Sequence, residues 1–171
     1  MSVPEREVIQ IARSALQSTL RRGVARVPRS VSPALTARRA GVFVTVLKQG
    51  RLRACWGTLE PQQANLAAEI VAAAQGVCTR DKRFPPLRSE EAGRLRLIVT
   101  VVLTPPEPAA PARVHPRDHG VLVRSGTRSA VVLPHEGRTV RRMLMLARQK
   151  AGIAPAEPLE IFTFSVQTIS D

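Results

Sequence analysis

The chain has 171 residues, 44% of them hydrophobic and 23% charged, a balance that argues against wholesale disorder and leaves enough length to bury a sizeable core. No apolar run reaches the roughly 18 residues needed to span a bilayer, and the two cysteines, Cys55 and Cys78, are too few for a disulfide framework and lack metal-ligand spacing. The formal charge is +13, and all but three of the 26 basic residues are arginine, so the charge points either to an anionic partner such as nucleic acid or to a compositional bias. Aromatics make up only 3%, which leaves little for stacking on bases. The start, Met1-Ser-Val-Pro-Glu-Arg6, has no apolar leader core, and the expectation is a cytoplasmic protein away from membranes.

In chain order, Ser2 and Glu5 have capping-box spacing, Pro4 suits a first turn and Gly23 a C-terminal cap. Between them Val8, Ile11, Ala12, Ala15 and Leu16 form one apolar stripe, which predicts a helix. Residues 21–39 carry Arg21, Arg22, Arg26, Arg29, Arg38 and Arg39 with no acid, and read as a long basic loop. Residues 41–48 and 52–58, joined through Gln49-Gly50, read as a β-hairpin. An Ala-rich helix follows over 65–77. Asp81 to Leu87 is irregular because Pro85 and Pro86 exclude helix and central strand. A short helix can start at Ser89, and the β-branched run from Leu95 to Leu103 reads as a strand.

Thr104 to Pro116 is Pro-rich and reads as an irregular connection. A second hairpin is expected over 120–124 and 128–133, then a helix with the apolar face Val140, Met143, Leu144, Ala147 and Ala151 that ends at Gly152, and a last strand over 159–167. Paired strands with interspersed helices predict an α+β fold with a mainly antiparallel sheet and flanking helices, in a single domain over 1–171 with room for a small sub-domain. Neither a phosphate-binding glycine loop nor a metal-ligand cluster is present, so no cofactor and no metal are implied.

The segment Leu52-Arg-Ala-Cys-Trp-Gly-Thr58 carries the densest chemistry. As a strand it puts Arg53, Cys55 and Gly57 on one face and Leu52, Ala54 and Trp56 on the other. A thiol becomes a nucleophile beside a cation, so Cys55 next to Arg53 is the candidate catalytic residue; the alternative is a small buried Cys55 with Arg53 paired to an acid such as Asp81. The loop Asp81-Lys-Arg-Phe84 either presents Asp81 and Arg83 to a ligand or pairs them structurally with Phe84 as a plug. Arg138, Arg141 and Arg142 at the start of the last helix, just after His135, oppose the helix dipole and form either an anion site or a solvated arginine face. His115 and His119 cannot share a helix face across Pro116, which argues against zinc.

Gly41-Val-Phe-Val-Thr45, Leu52 to Thr58, Asp81-Lys-Arg-Phe-Pro-Pro-Leu87, Val101-Val-Leu-Thr-Pro-Pro106, Leu133-Pro134 and Lys150-Ala-Gly-Ile153 occur in this order. Together they resemble the AMMECR domain family, whose bacterial and archaeal branch is similar to protein A of the AmmeMemoRadiSam system. The resemblance implies an α+β fold with a larger and a smaller sub-domain and association with Memo-type and radical SAM proteins as partners, but no established reaction. Ala54 and Trp56 stand where the family usually has Gly and Ile, Lys82 where it has Pro, and His135 where Gln is frequent. The candidate ligand-binding set is Thr45, Arg53, Gly57, Thr58, Asp81, Arg83 and Phe84. Two functions follow: a ligand-binding or enzymatic component with a pocket around these residues, or a basic adaptor for nucleic acid or protein.

Overall fold

A computed structural model describes residues 4–171. The capping-box residue Ser2 lies outside the described residues; the first helix, α1 (Glu5–Arg22), has Pro4 at its N-cap and ends on Gly23, whose N–H returns to the Thr19 carbonyl at 2.8 Å. The chain falls into two compact units, one formed by Met1–Val101 with Thr168–Asp171, the other by Val102–Gln167.

In the first unit, α1 and α2 (Pro33–Thr36) are followed by β1 (Val42–Lys48), β2 (Arg51–Gly57), α3 (Leu66–Thr79) and β3 (Leu95–Val102). The short α2 interrupts the basic stretch that the sequence presents as loop. Gln49 and Gly50, both at positive φ, make the tight turn of the β1–β2 hairpin, and β1 also pairs antiparallel with β3. The β1–β2 register passes from Val46↔Ala54 to Leu47↔Leu52, so Arg53 is the extra residue of a bulge. Beyond that bulge Leu52 lies exposed near the hairpin tip, instead of sharing the core with Ala54.

The core sits on one face of this sheet. Val42, Val44, Val46, Ala54, Leu97 and Val99 meet Val8, Ile11 and Leu16 of α1 and Leu66, Ile70 and Val77 of α3. Each of the Val, Leu and Ile side chains gains about 1.5–3 kcal/mol from burial, which is why the helical stripes dock here. Asn65 caps α3 by accepting the Ala68 N–H at 3.0 Å. The end of the chain also belongs to this unit: Ile169 joins the core, and the Asp171 carboxylate accepts the Leu97 N–H at 2.9 Å and pairs with Arg13.

The second unit contains β4 (Glu107–Pro108), β5 (His119–Ser125), β6 (Arg128–Val132), α4 (Val140–Ala151) and most of β7 (Glu160–Ser170). β5 pairs antiparallel with β6 and β7, and β4 places two residues of the Pro-rich stretch against β7, a regularity that its composition does not announce. Met143 and Ala147 of α4 bury against Val121, Val123 and Val132. Helices on antiparallel strands, in a larger and a smaller unit, make the fold α+β as the sequence predicts.

Candidate functional site

Cys55 lies in the middle of β2 with its backbone turned away from β1. Both of its backbone groups are met by side chains: the N–H donates to Asp81 Oδ2 at 2.8 Å and the carbonyl accepts from an Arg83 guanidinium nitrogen at 3.3 Å. Asp81 and Arg83 are themselves bridged, Arg83 Nε donating to Oδ1 at 2.9 Å and its terminal nitrogen to Oδ2 at 2.8 Å. Side chains here do what a neighbouring strand would do, and they close the sheet edge at Cys55. The Asp81 side chain is only 2% exposed. Burial pushes its carboxyl upward, but the Arg83 side chain and the N–H groups of Cys55 and Arg83 outweigh this and hold it below the ordinary range.

Arg53, re-aimed by its bulge, serves a different part of the same loop. It donates to the carbonyls of Pro85 at 2.9 Å and Pro86 at 3.2 Å and to both carboxylate oxygens of Glu91, at 3.3 and 3.0 Å. The two prolines leave carbonyls without a ladder to join, and the arginine fork collects them. Lys48 reaches the same carboxylate at 2.7 Å, and these cations together hold the Glu91 pKa down to about 2. The acid that pairs with Arg53 is therefore Glu91, while Asp81 pairs with Arg83.

The sulfur of Cys55 accepts the hydroxyl of Thr45, a fully buried residue directly opposite on β1, at 3.2 Å. Cys55 is half-buried, and with Trp56, Arg80, Asp81, Lys82 and Arg83 it lines a pocket of about 420 Å³. Phe84 of the same loop is half-buried, with the Arg83 guanidinium 5.6 Å from its ring centre. Cys78, on α3, is a different kind of thiol: burial raises its pKa to about 11.

Gly57 is present for close packing, since a β-carbon there would fall 2.2 Å from the Val42 carbonyl and 2.7 Å from the Phe43 ring. Thr58 turns to another cavity. Its hydroxyl donates to Glu69 at 3.0 Å, and Glu69 also accepts the N–H groups of Gln62 and Gln63 at 2.7 Å each. Glu69 and Glu91, which organise the two loops around β2, are missed by the sequence reading; the signal for Glu69 is a lone acid on an Ala-rich helix, where only a bonded carboxylate is tolerated at 3% exposure.

The structure thus brings Thr45, Arg53, Cys55, Asp81, Arg83 and Phe84 around one face and edge of β2, with Gly57 at its end. Arg138, Arg141 and Arg142 belong to the second unit and are exposed around the start of α4, where Thr139 caps the Arg142 N–H at 3.2 Å. In that unit both ring nitrogens of His135 are buried without a hydrogen-bond partner among the described residues, and burial holds its pKa below the usual imidazole range. Among the described residues no cluster of three or more metal-ligating side chains occurs, and no helix is long and apolar enough to cross a membrane.

A Thermotoga maritima protein is 41% identical over 143 residues, covering 81% of this chain and 82% of its own. A Methanothermobacter thermautotrophicus protein is 34% identical over 162 residues, covering 88% and 83%. A Clostridium acetobutylicum relative is longer: the match, 34% identical over 162 residues, spans 34% of it. The crystal structure of an uncharacterized protein from Pyrococcus horikoshii superposes with a TM-score of 0.85 at 27% identity, over 98% of this chain and 91% of that one. The family model described as AMMECR1 matches residues 9–169, and the chain belongs to the AMMECR1 family.

Proposed function

We propose that the chain is a cytoplasmic small-ligand-binding component, with Cys55 as its reactive group, of a modification system that includes Memo-type and radical SAM proteins. The observation that carries this reading is the setting of one sulfur: Cys55 Sγ is held by a buried hydroxyl at the wall of a pocket ringed by Arg80, Lys82 and Arg83. A half-exposed thiol with a donor on its sulfur and cations around it is placed to meet an electrophilic carbon. Arg80 and Lys82 select a small ligand that carries negative charge, a phosphate or carboxylate, while Asp81 and Arg83 are committed to each other and to the β2 backbone.

In this reading Arg53, Asp81 and Arg83 are positioning residues. Arg53 pins the Pro85-Pro86 turn, the Asp81–Arg83 bridge fixes the backbone of Cys55, and Thr45 orients the sulfur. The association with Memo-type and radical SAM partners rests on the family resemblance.

A thermal-shift screen of small phosphates, carboxylates and nucleotides against wild type and Cys55→Ala tests the reading. An anionic ligand that raises the melting temperature of wild type and raises that of Cys55→Ala less is expected. If no anion in the set shifts wild type, or every shift survives equally in Lys82→Ala, the pocket is not the ligand site.

A further inference from the structure

A second cavity, of about 400 Å³, opens on the first unit between the end of α1, the β2–α3 connection and α3. Trp56 stands at one wall. Gln63 and Gln75 line it with carboxamides that have no hydrogen-bond partner among the described residues, although both residues are half-buried. Thr58 and Glu69 also line it, but Glu69 spends its oxygens on Thr58 and on the Gln62 and Gln63 backbone, so the groove meets a carboxylate already supplied with donors. What remains for a ligand is an indole and two amides, and each amide offers a donor and an acceptor side by side.

Arg80 lines this groove, and three further arginines neighbour its lining residues. Gly23, at the mouth, directly follows Arg21 and Arg22; Arg39 is tied to the site through its Nε bond to the Gln63 carbonyl at 3.2 Å; and the Arg80 guanidinium lies 5.8 Å from the centre of the Trp56 ring. Arg21, Arg22, Arg26 and Arg29 are exposed and have no carboxylate partner among the described residues, and Val24 and Val27 stand exposed among them at 50% and 39%. Exposed arginines that adjoin a pocket of amides and an indole combine the two parts of nucleic-acid recognition. Guanidinium groups hold phosphates without reading sequence, while carboxamides match the paired donor and acceptor on a base edge.

We propose that this groove is a single-stranded nucleic-acid site, in which one unpaired base enters beside Trp56 and bonds to the Gln63 and Gln75 carboxamides while Arg22, Arg39 and Arg80 hold the flanking phosphates. A lipid headgroup or an acidic peptide would use the arginines and leave the amides idle. A duplex keeps its base edges stacked and paired, out of reach of a pocket of this size.

The single tryptophan lines this groove and also the Cys55 pocket, so its fluorescence reports a ligand in either, and variants of Gln63 and Gln75, which line this groove alone, tell the two apart. The experiment titrates the full chain with short single-stranded RNA and DNA oligonucleotides, the matching duplexes, anionic phosphatidylserine vesicles and polyglutamate, at about 50 and about 200 mM salt, with melting curves for every variant. Single strands are expected to quench Trp56 and to bind more weakly by roughly tenfold at the higher salt. Gln63→Ala and Gln75→Ala should each weaken single-strand binding roughly tenfold with the salt dependence intact, while Arg22→Ala with Arg39→Ala should make that dependence shallower. Binding of duplex, vesicle or polyglutamate as tight as that of single strands, or single-strand binding indifferent to both glutamine variants in folded protein, would overturn the proposal, as would no binding at all.

Discussion

Two thiols on one small unit sit in different surroundings, and the contrast in reactivity this predicts can be measured. Burial raises the Cys78 pKa to about 11, so this side chain is a neutral thiol at pH 7. Cys55 has its sulfur on a hydroxyl donor and opens to a cationic pocket. Thr45→Val keeps the shape of the buried side chain and removes the donor, so alkylation of Cys55 is expected to slow by roughly tenfold while Cys78 is unaffected. Equal rates for wild type and Thr45→Val, followed by peptide mapping, would show that the hydroxyl does not act on the sulfur. The sequence places Arg53 and Cys55 side by side two residues apart, and that is where its reading of the site reaches its limit. The Arg53 partners lie more than 30 residues away at Pro85, Pro86 and Glu91, a separation no local pattern encodes. Likewise the alternation of β2 marks which side chains share a face, while the outward direction of the Cys55 backbone, which recruits Asp81 and Arg83, depends on pairing with β1.

Between elements, the fit of β2 on α3 rests on one exchange of volume. A β-carbon on Gly76 would fall 2.0 Å from the Trp56 ring, so the larger side chain on the strand requires the smallest one on the helix. Gly76→Ala is expected to destabilise the protein by about 1–3 kcal/mol, and Trp56→Ile to relieve most of that cost in the double variant, a coupling that urea melts of all four proteins would quantify. The Glu91 cluster ties the β1–β2 hairpin to the Pro85-Pro86 loop through Lys48 and Arg53. Its folded pKa of about 2 lies below the unfolded carboxylate value of 4.5, so the stability it contributes is complete above pH 4.5 and is lost as pH falls toward 2. Glu91→Gln is expected to cost about 1–2 kcal/mol at pH 7 and to flatten the acid limb between those values. A variant whose melting temperature tracks wild type down to pH 2 would deny the cluster that role.

On the scale of the whole molecule, the first unit is completed by the last residues of the chain. Ile169 enters its core, and Asp171 bonds to Leu97 and Arg13. Removing residues 168–171 is therefore expected to lower the melting temperature by several degrees, with protection from hydrogen exchange lost first along β3 and α1. The hairpin turn at Gln49-Gly50 and the apolar stripes of α1 and α4 are local, and they are legible in the sequence; the Asn65 cap is equally local but is read there only as the start of the helix. The return of the terminus to the first unit is not: the sequence predicts a last strand over 159–167, whereas β7 runs on to Ser170 and its residues after Gln167 belong to the first unit.

The account depends most on Cys55 being a reachable thiol in a cationic pocket. The direct measurement compares alkylation of the folded protein by iodoacetate, an anion, and by iodoacetamide, its neutral counterpart, at pH 7.5, with peptide mapping of both cysteines. Modification at Cys55 with Cys78 spared, and an iodoacetate-to-iodoacetamide rate ratio above that of a cysteine in a short unstructured peptide, is the expected result. Cys55 as slow as Cys78 until the protein unfolds, or a ratio no higher than the peptide's, would contradict it.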